Sequence, residues 1–586
     1  MKTITDNMSI TECINTSNYN EIKNDKSKHT FTAGTYQNGY NYKEYSGNYL
    51  RRNGKYLNGH TLTSSSDEEH LNYKLKRLNG TKALKKEKLV KESFEKPTLI
   101  STLLTSISFY ILMFLGYISQ ALFPPKVATE HNRHGYPHLY DKFASFYSRY
   151  VYRRIRDCWN YPICSVPGAE VVLKERITPD NGWTFEFTGS QRKCINLGSY
   201  NYLGFAEKSG PCAELAIKTA HTYGLSTGAT RQQYGTCEVH RELEKLTAEF
   251  LGVEDAITFG MGFATNSLNI PALLSPECLV ISDERNHASL ILGIRLSGAT
   301  VRVFQHNDVK DLERVLKTAI YYGQPSEESN KHKPWRKICI FVEGIYSMEG
   351  SIAHLPQIIA LKKKYKAFLY LDEAHSIGAI GKSGKGVVDY FGCDPKDIDV
   401  LMGTFTKSFG SAGGYIAGTK QFISYLRQKS YASKHACAMS PPVAAQIIAV
   451  LKILMGKDGT DLGKNRINAL ACNTQYFRRR LAQIGVITYG NQHSPVVPIL
   501  VYLYSKIVYS VRTLIENNIA TVGVGYPATP LLEARLRICL SAAHTKEQLD
   551  YALEIIEKVA NDIGLKYSRL PKDPNPIQYE TLELNH

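Results

Sequence analysis

The stretch from Gly403 to Gly418, GTFTKSFGSAGGYIAG, sets one lysine, Lys407, among glycine, serine, threonine and alanine just after the apolar run VLMG. An ammonium is seldom withdrawn from water without a partner, so a lysine at the end of a buried strand calls for a reason. One chemical reason is a Schiff base with an aldehyde, and small neighbours let such a carbonyl compound approach the backbone closely. Other polar groups fall just after apolar runs in the same region. LYLDEAH leaves Asp372 and His375, VISDERNH leaves His287, FVEGIYS leaves Glu343 and Ser347, and GTFTK leaves Thr404 near Lys407. TFGMGFATN adds a glycine-containing turn able to aim the Phe263 and Ala264 amides at a phosphate.

Each residue alone has an ordinary use. An aspartate after a strand most often caps a helix. A lone histidine is most often a satisfied structural one, and a glycine-rich turn is common. The combination is more specific: a phosphate turn, a histidine, an Asp-x-x-His, and a lysine 35 residues after Asp372. A pyridoxal 5'-phosphate enzyme requires this set. The amine holds the aldehyde, and an acid keeps the pyridine nitrogen protonated so that the ring can accept electrons.

The elements that must position these groups are legible in the hydropathy pattern. DAITFG, CLVISD, TVRVFQ, KICIFVEG, AFLYLDE, DVLMGTF and GGYIAG read as strands buried on both faces, separated by amphipathic stretches such as DVKDLERVLKTAI. That alternation predicts an α/β body around a mostly parallel sheet, with ligands at the carboxyl ends of its strands. Longer helices with few strands follow from about residue 441 and suit a smaller second domain. The expected organisation is a polar tail ending in a basic belt (1–96), an apolar membrane-associated segment (97–125) and a connecting region (126–195). A large cofactor-binding domain (196–440), a small C-terminal domain (441–565) and a tail (566–586) complete it.

The first 70 or so residues are rich in Asn, Ser, Thr, Tyr and Gly, a composition expected to stay disordered. No apolar core follows Lys2, so a signal peptide is not expected there. Thr98 to Phe123 is a 26-residue uncharged run, about 39 Å long as a helix and enough to cross a bilayer core of about 30 Å. Both flanks are basic, residues 82–96 holding six Lys against three Glu. The positive-inside rule therefore casts no vote, and a segment lying in the cytoplasmic leaflet fits equally. The formal net charge of +17 is concentrated beside this segment, which favours anionic lipid over nucleic acid as the partner. Twelve cysteines without a CxxC pair indicate neither a zinc site nor a disulfide scaffold, and fit a reducing compartment.

GTFTKSFGSAGGYI, YLDEAHSIGAIG, FVEGIYSMEGSI, SYNYLGFA and LSAAHTKEQLD resemble the long-chain-base subunit 2 family of serine palmitoyltransferase, part of the α-oxoamine synthases. The likeness runs from about Thr98 to Arg569. It implies an aminotransferase-type (fold type I) architecture with pyridoxal phosphate held covalently by Lys407. Asp372 would pair with the pyridinium nitrogen, His375 with the phenolic oxygen, and His287 would stack on the ring. Thr404 and the amides of Phe263 and Ala264 would hold the phosphate. Asn201, Ser347 and Arg537 would receive the amino acid's carboxylate, a task that suits the planar fork of an arginine.

The implied reaction joins L-serine to a long-chain acyl-CoA, palmitoyl-CoA above all, with loss of CO2, to give 3-ketosphinganine. The resemblance also implies a heterodimer with serine palmitoyltransferase subunit 1, at the endoplasmic reticulum membrane with the catalytic body facing the cytosol. The alternatives are another α-oxoamine synthase, which the apolar segment disfavours; a non-catalytic regulatory subunit, which Lys407 disfavours; and a lipid-binding scaffold. Three stretches depart from the family pattern: ATRQQYGTCEVHRELE, SKHACAMSPP, and Arg285 where DELNHAS carries a leucine. In the family these segments border the site entrance, so they bear on acyl-chain and amino-acid preference.

Overall fold

The computed structural model describes residues 94–123, 142–325, 332–526, 528–530 and 532–579. The expected disordered tail, the acceptor-type triplets NMS at Asn7, NTS at Asn15 and NGT at Asn79, and most of the basic belt lie outside these residues.

Seven strands form the central sheet in the order β3-β9-β8-β7-β6-β4-β5: β3 (Asp255–Phe259), β4 (Cys278–Asp283), β5 (Thr300–Phe304), β6 (Lys337–Glu343), β7 (Phe368–Asp372), β8 (Val400–Thr404) and β9 (Gly414–Gly418). Only β9 runs antiparallel to its neighbours. Alternate side chains of the central strands enter different cores. Leu279, Ile281, Ile340, Val342, Leu369 and Leu371 point into one, and Val280, Phe341 and Tyr370 into the other. Helices cover both faces, which is why these strands read as unbroken apolar runs. β5 departs from that expectation. It is the edge strand, and Val301, Arg302 and Val303 are exposed.

Two smaller sheets complete the described fold. β10 (Val496–Leu500), β13 (Arg535–Cys539) and β12 (Val522–Val524) form one, antiparallel throughout. β1 (Glu170–Ile177) and β2 (Glu186–Asn196) form the other with β11 (Ile519–Ala520). The segment expected to be a connector therefore contributes two strands to a sheet shared with the C-terminal part. The helix Lys546–Asp562 closes that part, its start fixed by a reciprocal Thr545–Gln548 capping box.

The apolar segment forms a helix, Leu99–Leu122. Hydroxyls of its first turns bond within the helix, Thr105 donating to the Ser101 carbonyl (2.7 Å) and Ser106 to that of Thr102 (2.9 Å). Only Thr105, Phe109, Met113 and Gly116 are buried, a stripe at helical spacing. Leu99, Leu103, Leu104, Ile107, Tyr110, Ile111, Phe114, Leu115 and Ile118 stay exposed. The helix touches the body along its length. Phe94 packs on Tyr489 and Glu95 accepts from Ser568 just before it, Leu503 to Ser505 line a cavity with Thr105 and Phe109, and Gly116 abuts Phe146.

Candidate active site

The carboxyl ends of β4, β6, β7 and β8 bring the chemistry-bearing residues together. Asp372, the last residue of β7, is buried, and both its oxygens are held: Oδ1 by the Ala374 amide (2.9 Å) and Oδ2 by Asn266 Nδ2 (2.8 Å). Asn266 is itself fixed by Tyr370, whose hydroxyl donates to its Oδ1 (2.7 Å). The carboxylate is thus fixed before any ligand arrives.

Lys407 lies in the loop after β8. Burial lowers its ammonium to about 8, opposed by the nearby Asp372 and Glu343 carboxyls. Its side chain is partly rather than fully buried, so the site stays open on that side. Glu343, the last residue of β6, is fully withdrawn, and burial raises it well above the usual carboxylate range. It accepts from the His287 amide and so anchors the loop after β4.

His375 is buried and held well below its ordinary pKa by desolvation, then by the charge of Lys407. Its Nδ1 meets the Tyr202 hydroxyl at 2.8 Å. His287, by contrast, is exposed. Its Nδ1 caps the helix Ala288–Ser297, accepting from the Ser289 amide (3.3 Å) and meeting the Ser289 hydroxyl (2.8 Å), so the ordinary capping use is present too.

The turn GMGFATN opens a short helix, Gly262–Ser267, whose first amides have no intrahelical acceptor. Phe263 is exposed there, edge-on to His287. A side chain at Gly262 would meet Thr404 Oγ1 at 2.8 Å, so glycine keeps this cradle open. Thr404 itself faces inward, donating to the Gly413 carbonyl (2.9 Å), and the hydroxyl exposed at that turn belongs to Thr406.

Arg537 is buried on β13, and its Nε has no hydrogen-bond partner. Such an orphaned donor is costly unless a ligand completes it. Ser347 lies partly buried in the loop after β6. Asn201 is near but committed elsewhere, its Nδ2 to the Pro167 carbonyl (3.1 Å) and its Oδ1 to the Ala206 amide (3.2 Å). A cavity of about 270 Å³ beside Arg537 is lined largely by apolar groups, among them Ile155, Trp159, Val522 and Val524.

Three residues at this site carry no role in the sequence reading. Tyr200 takes the Arg537 guanidinium (4.7 Å) and Lys407 Nζ (5.7 Å) over its ring and sits edge-on to His375 (5.0 Å). Tyr202 and Asn266 set His375 and Asp372. SYNYLGFA was visible as a motif, but nothing in it signals which tyrosine faces the lysine.

The residues present fit pyridoxal phosphate. A lysine amine of lowered pKa, a fixed carboxylate, a neutral histidine and a turn kept open at Gly262 lie at or near the carboxyl ends of the central strands, and an unpaired guanidinium Nε is left for a second anion.

The described geometry agrees with the comparisons to known proteins. Residues 192–556 match the family model for aminotransferase class I and II. Human serine palmitoyltransferase 3 is 51% identical over 502 residues, 84% of this chain and 90% of that protein. Serine palmitoyltransferase 2 of Caenorhabditis elegans is 55% identical over 431 residues, 74% and 76% of the two chains. Among solved structures, a serine palmitoyltransferase with its pyridoxal phosphate internal aldimine superposes with a TM-score of 0.62 at 25% identity, covering 73% of this chain and all of that one. The Sphingomonas wittichii serine palmitoyltransferase gives 0.62 at 26% identity, covering 72% and 98%. This chain belongs to the serine palmitoyltransferase family, within the class I and II aminotransferases.

Proposed function

We propose that this chain condenses L-serine with a long-chain acyl-CoA, palmitoyl-CoA above all, releasing CoA and CO2 and forming 3-ketosphinganine for sphingolipid synthesis. The observation that carries the reading is the pair of cations over Tyr200: Lys407 to handle an amine and Arg537, with its unpaired Nε, to hold a carboxylate. An α-amino acid presents that pair of groups. Family membership supplies serine and the acyl-CoA.

Pyridoxal phosphate, when bound, supplies an electron sink for the charge that develops at Cα. Lys407 would anchor it, Asp372 would meet the pyridine nitrogen, His375 the phenolic oxygen and His287 the ring, and Thr404 with the Phe263 and Ala264 turn would hold the phosphate. Thr406 joins the phosphate set, because Thr404 gives its proton to Gly413. Tyr202 stays protonated, since burial raises it well above 10, and donates to His375 Nδ1. The neutral imidazole then keeps its proton on Nε2, a donor for an oxyanion. Arg537 and Ser347 orient the serine carboxylate, and Asn201 acts by pinning the loop that carries Tyr200.

With serine bound, the Lys407 amine would take the Cα proton. Its low pKa keeps a substantial neutral fraction near physiological pH. The apolar cavity beside Arg537 receives the first part of the acyl chain. The Leu99–Leu122 helix presents its outer apolar face to the cytoplasmic leaflet of the endoplasmic reticulum, where the acyl substrate and the product partition. The catalytic partner is serine palmitoyltransferase subunit 1.

The test is product analysis from labelled serine and a panel of acyl-CoAs, using enzyme co-expressed with subunit 1. 3-Ketosphinganine as the main product supports the reading. A product built from glycine or a short acyl-CoA overturns it.

A further inference from the structure

We propose that Arg285 is a positioning residue whose guanidinium ties the His287 loop to the two segments carrying Ser347 and Arg537, and so sets how tightly the amino-acid carboxylate is held. The inference rests on the function proposed above and adds a determinant of its serine site.

The loop after β4 is stiff at this point, because the Arg285 amide donates to Asp283 Oδ1 (2.8 Å). The guanidinium then reaches Glu349 (3.5 Å), two residues after Ser347, and Glu533 (3.9 Å), four residues before Arg537. Its neighbour Glu284 lies 3.6 Å away. Arg535, fully buried on β13, shares the same two acids, at 3.6 Å from Glu349 and 2.8 Å from Glu533. It also donates to the Met348 carbonyl (2.8 Å), while Arg537 reaches Met348 Sδ at 3.6 Å. Arg535, Glu533, the Ser347–Glu349 turn and the His287 loop thus converge on one ionic cluster, which Arg537 touches through Met348 Sδ.

Charge decides what Arg285 adds. Glu349 and Glu533 against Arg535 alone would leave one surplus negative charge, with the Glu349 side chain only 5% exposed. A surplus carboxylate beside the segment bearing Arg537 opposes a substrate carboxylate and loosens the turn that holds it. Arg285 balances Glu349 and Glu533 together with Arg535, leaving Glu284, 43% exposed at its side chain, as the one unmatched and solvent-screened acid. A leucine, the family's usual residue here, cannot. Arg285 is also 27% exposed at its side chain, so salt screens its contribution in part.

The test compares Arg285→Leu and Arg285→Lys with the parent, as full-length enzyme co-expressed with subunit 1 and loaded with pyridoxal phosphate. Serine is titrated by absorbance without acyl-CoA, so that turnover plays no part. Arg285→Leu is expected to weaken serine binding about fivefold at about 50 mM KCl, with Arg285→Lys recovering part of the loss. Raising KCl to about 500 mM is expected to weaken the parent but not Arg285→Leu. The resting absorbance and the KM for palmitoyl-CoA stay within about twofold, as an effect confined to the carboxylate site requires. Serine binding by Arg285→Leu within about twofold of the parent overturns the proposal, as does an equal loss for serine and palmitoyl-CoA. If the parent itself shows no serine response, the functional reading fails instead. Amide exchange over residues 533–537 then decides: faster exchange in Arg285→Leu supports the tie, and unchanged exchange overturns it.

Discussion

At the scale of single residues, the site's chemistry depends on groups that no motif announces. Asp372 was legible because an acid at the end of an apolar run stands out. Its partner Asn266 lies 106 residues away in sequence and reaches it only through the fold. Asn266→Ala removes the donor to Oδ2 and strands the Tyr370 hydroxyl. The expected result is a fall in kcat of about tenfold or more with Lys407 still able to capture the cofactor, as loss of a ligand-orienting partner does elsewhere. Steady-state kinetics beside the resting absorbance spectrum check it. Lys407 gives a pH prediction of definite sign. Burial lowers its pKa to about 8, so the neutral amine fraction falls about tenfold per unit below that pH and levels off above it. Capture of pyridoxal phosphate by the apoenzyme is therefore expected to speed up with pH to a midpoint near 8, rather than near the 10.5 of an ordinary lysine. Stopped-flow absorbance across a pH series reads this, and Lys407→Ala abolishes the signal. His375 does not contribute a limb in this range, because its pKa is held well below 6.5.

At the scale of elements, the central strands were readable because burial on both faces leaves an unbroken apolar run, and each one expected is present. β5 was misread as doubly buried because an edge strand with Val at two exposed positions has the same composition. The β1–β2–β11 sheet was not legible at all. β11 has two residues and pairs with a strand more than 300 positions earlier, a contact no local pattern encodes. The apolar helix shows most clearly what length and composition omit. Both permit a bilayer crossing, yet the body meets the chain at Phe94 and Glu95, at Thr105 to Phe109 and again at Gly116. A helix held to one globular body at its start, middle and end cannot also carry its start to the opposite side of a membrane. With the membrane placement proposed above, it is expected to lie along the surface with its outer face in lipid. The triplets at Asn7, Asn15 and Asn79 are accordingly expected to remain unglycosylated in cells. A mobility shift removed by an endoglycosidase is the result that would contradict this placement.

At the scale of the whole molecule, the site gathers the groups proposed to hold the cofactor and still leaves one side exposed. His287 and Phe263 are exposed at the phosphate turn, Met261 beside them is 62% exposed, and Lys407 remains partly accessible. A reaction that generates charge at Cα and must protect it from bulk water needs that side covered. Exposed apolar residues at the mouth of a polar site are better suited to another chain than to solvent. The heterodimer proposed above would supply that cover from subunit 1, since this chain already carries Lys407. Expressed alone in a host without endogenous subunit 1, the chain is expected to show little 3-ketosphinganine synthesis. Co-expression with subunit 1 is expected to raise specific activity by about tenfold or more, the scale on which excluding water and completing a site act. A homodimer with two identical sites would meet the same need for a wall by a different route. The preparation lacking subunit 1 separates the two: full specific activity there requires the homodimer, and its absence with restoration on adding subunit 1 requires the heterodimer.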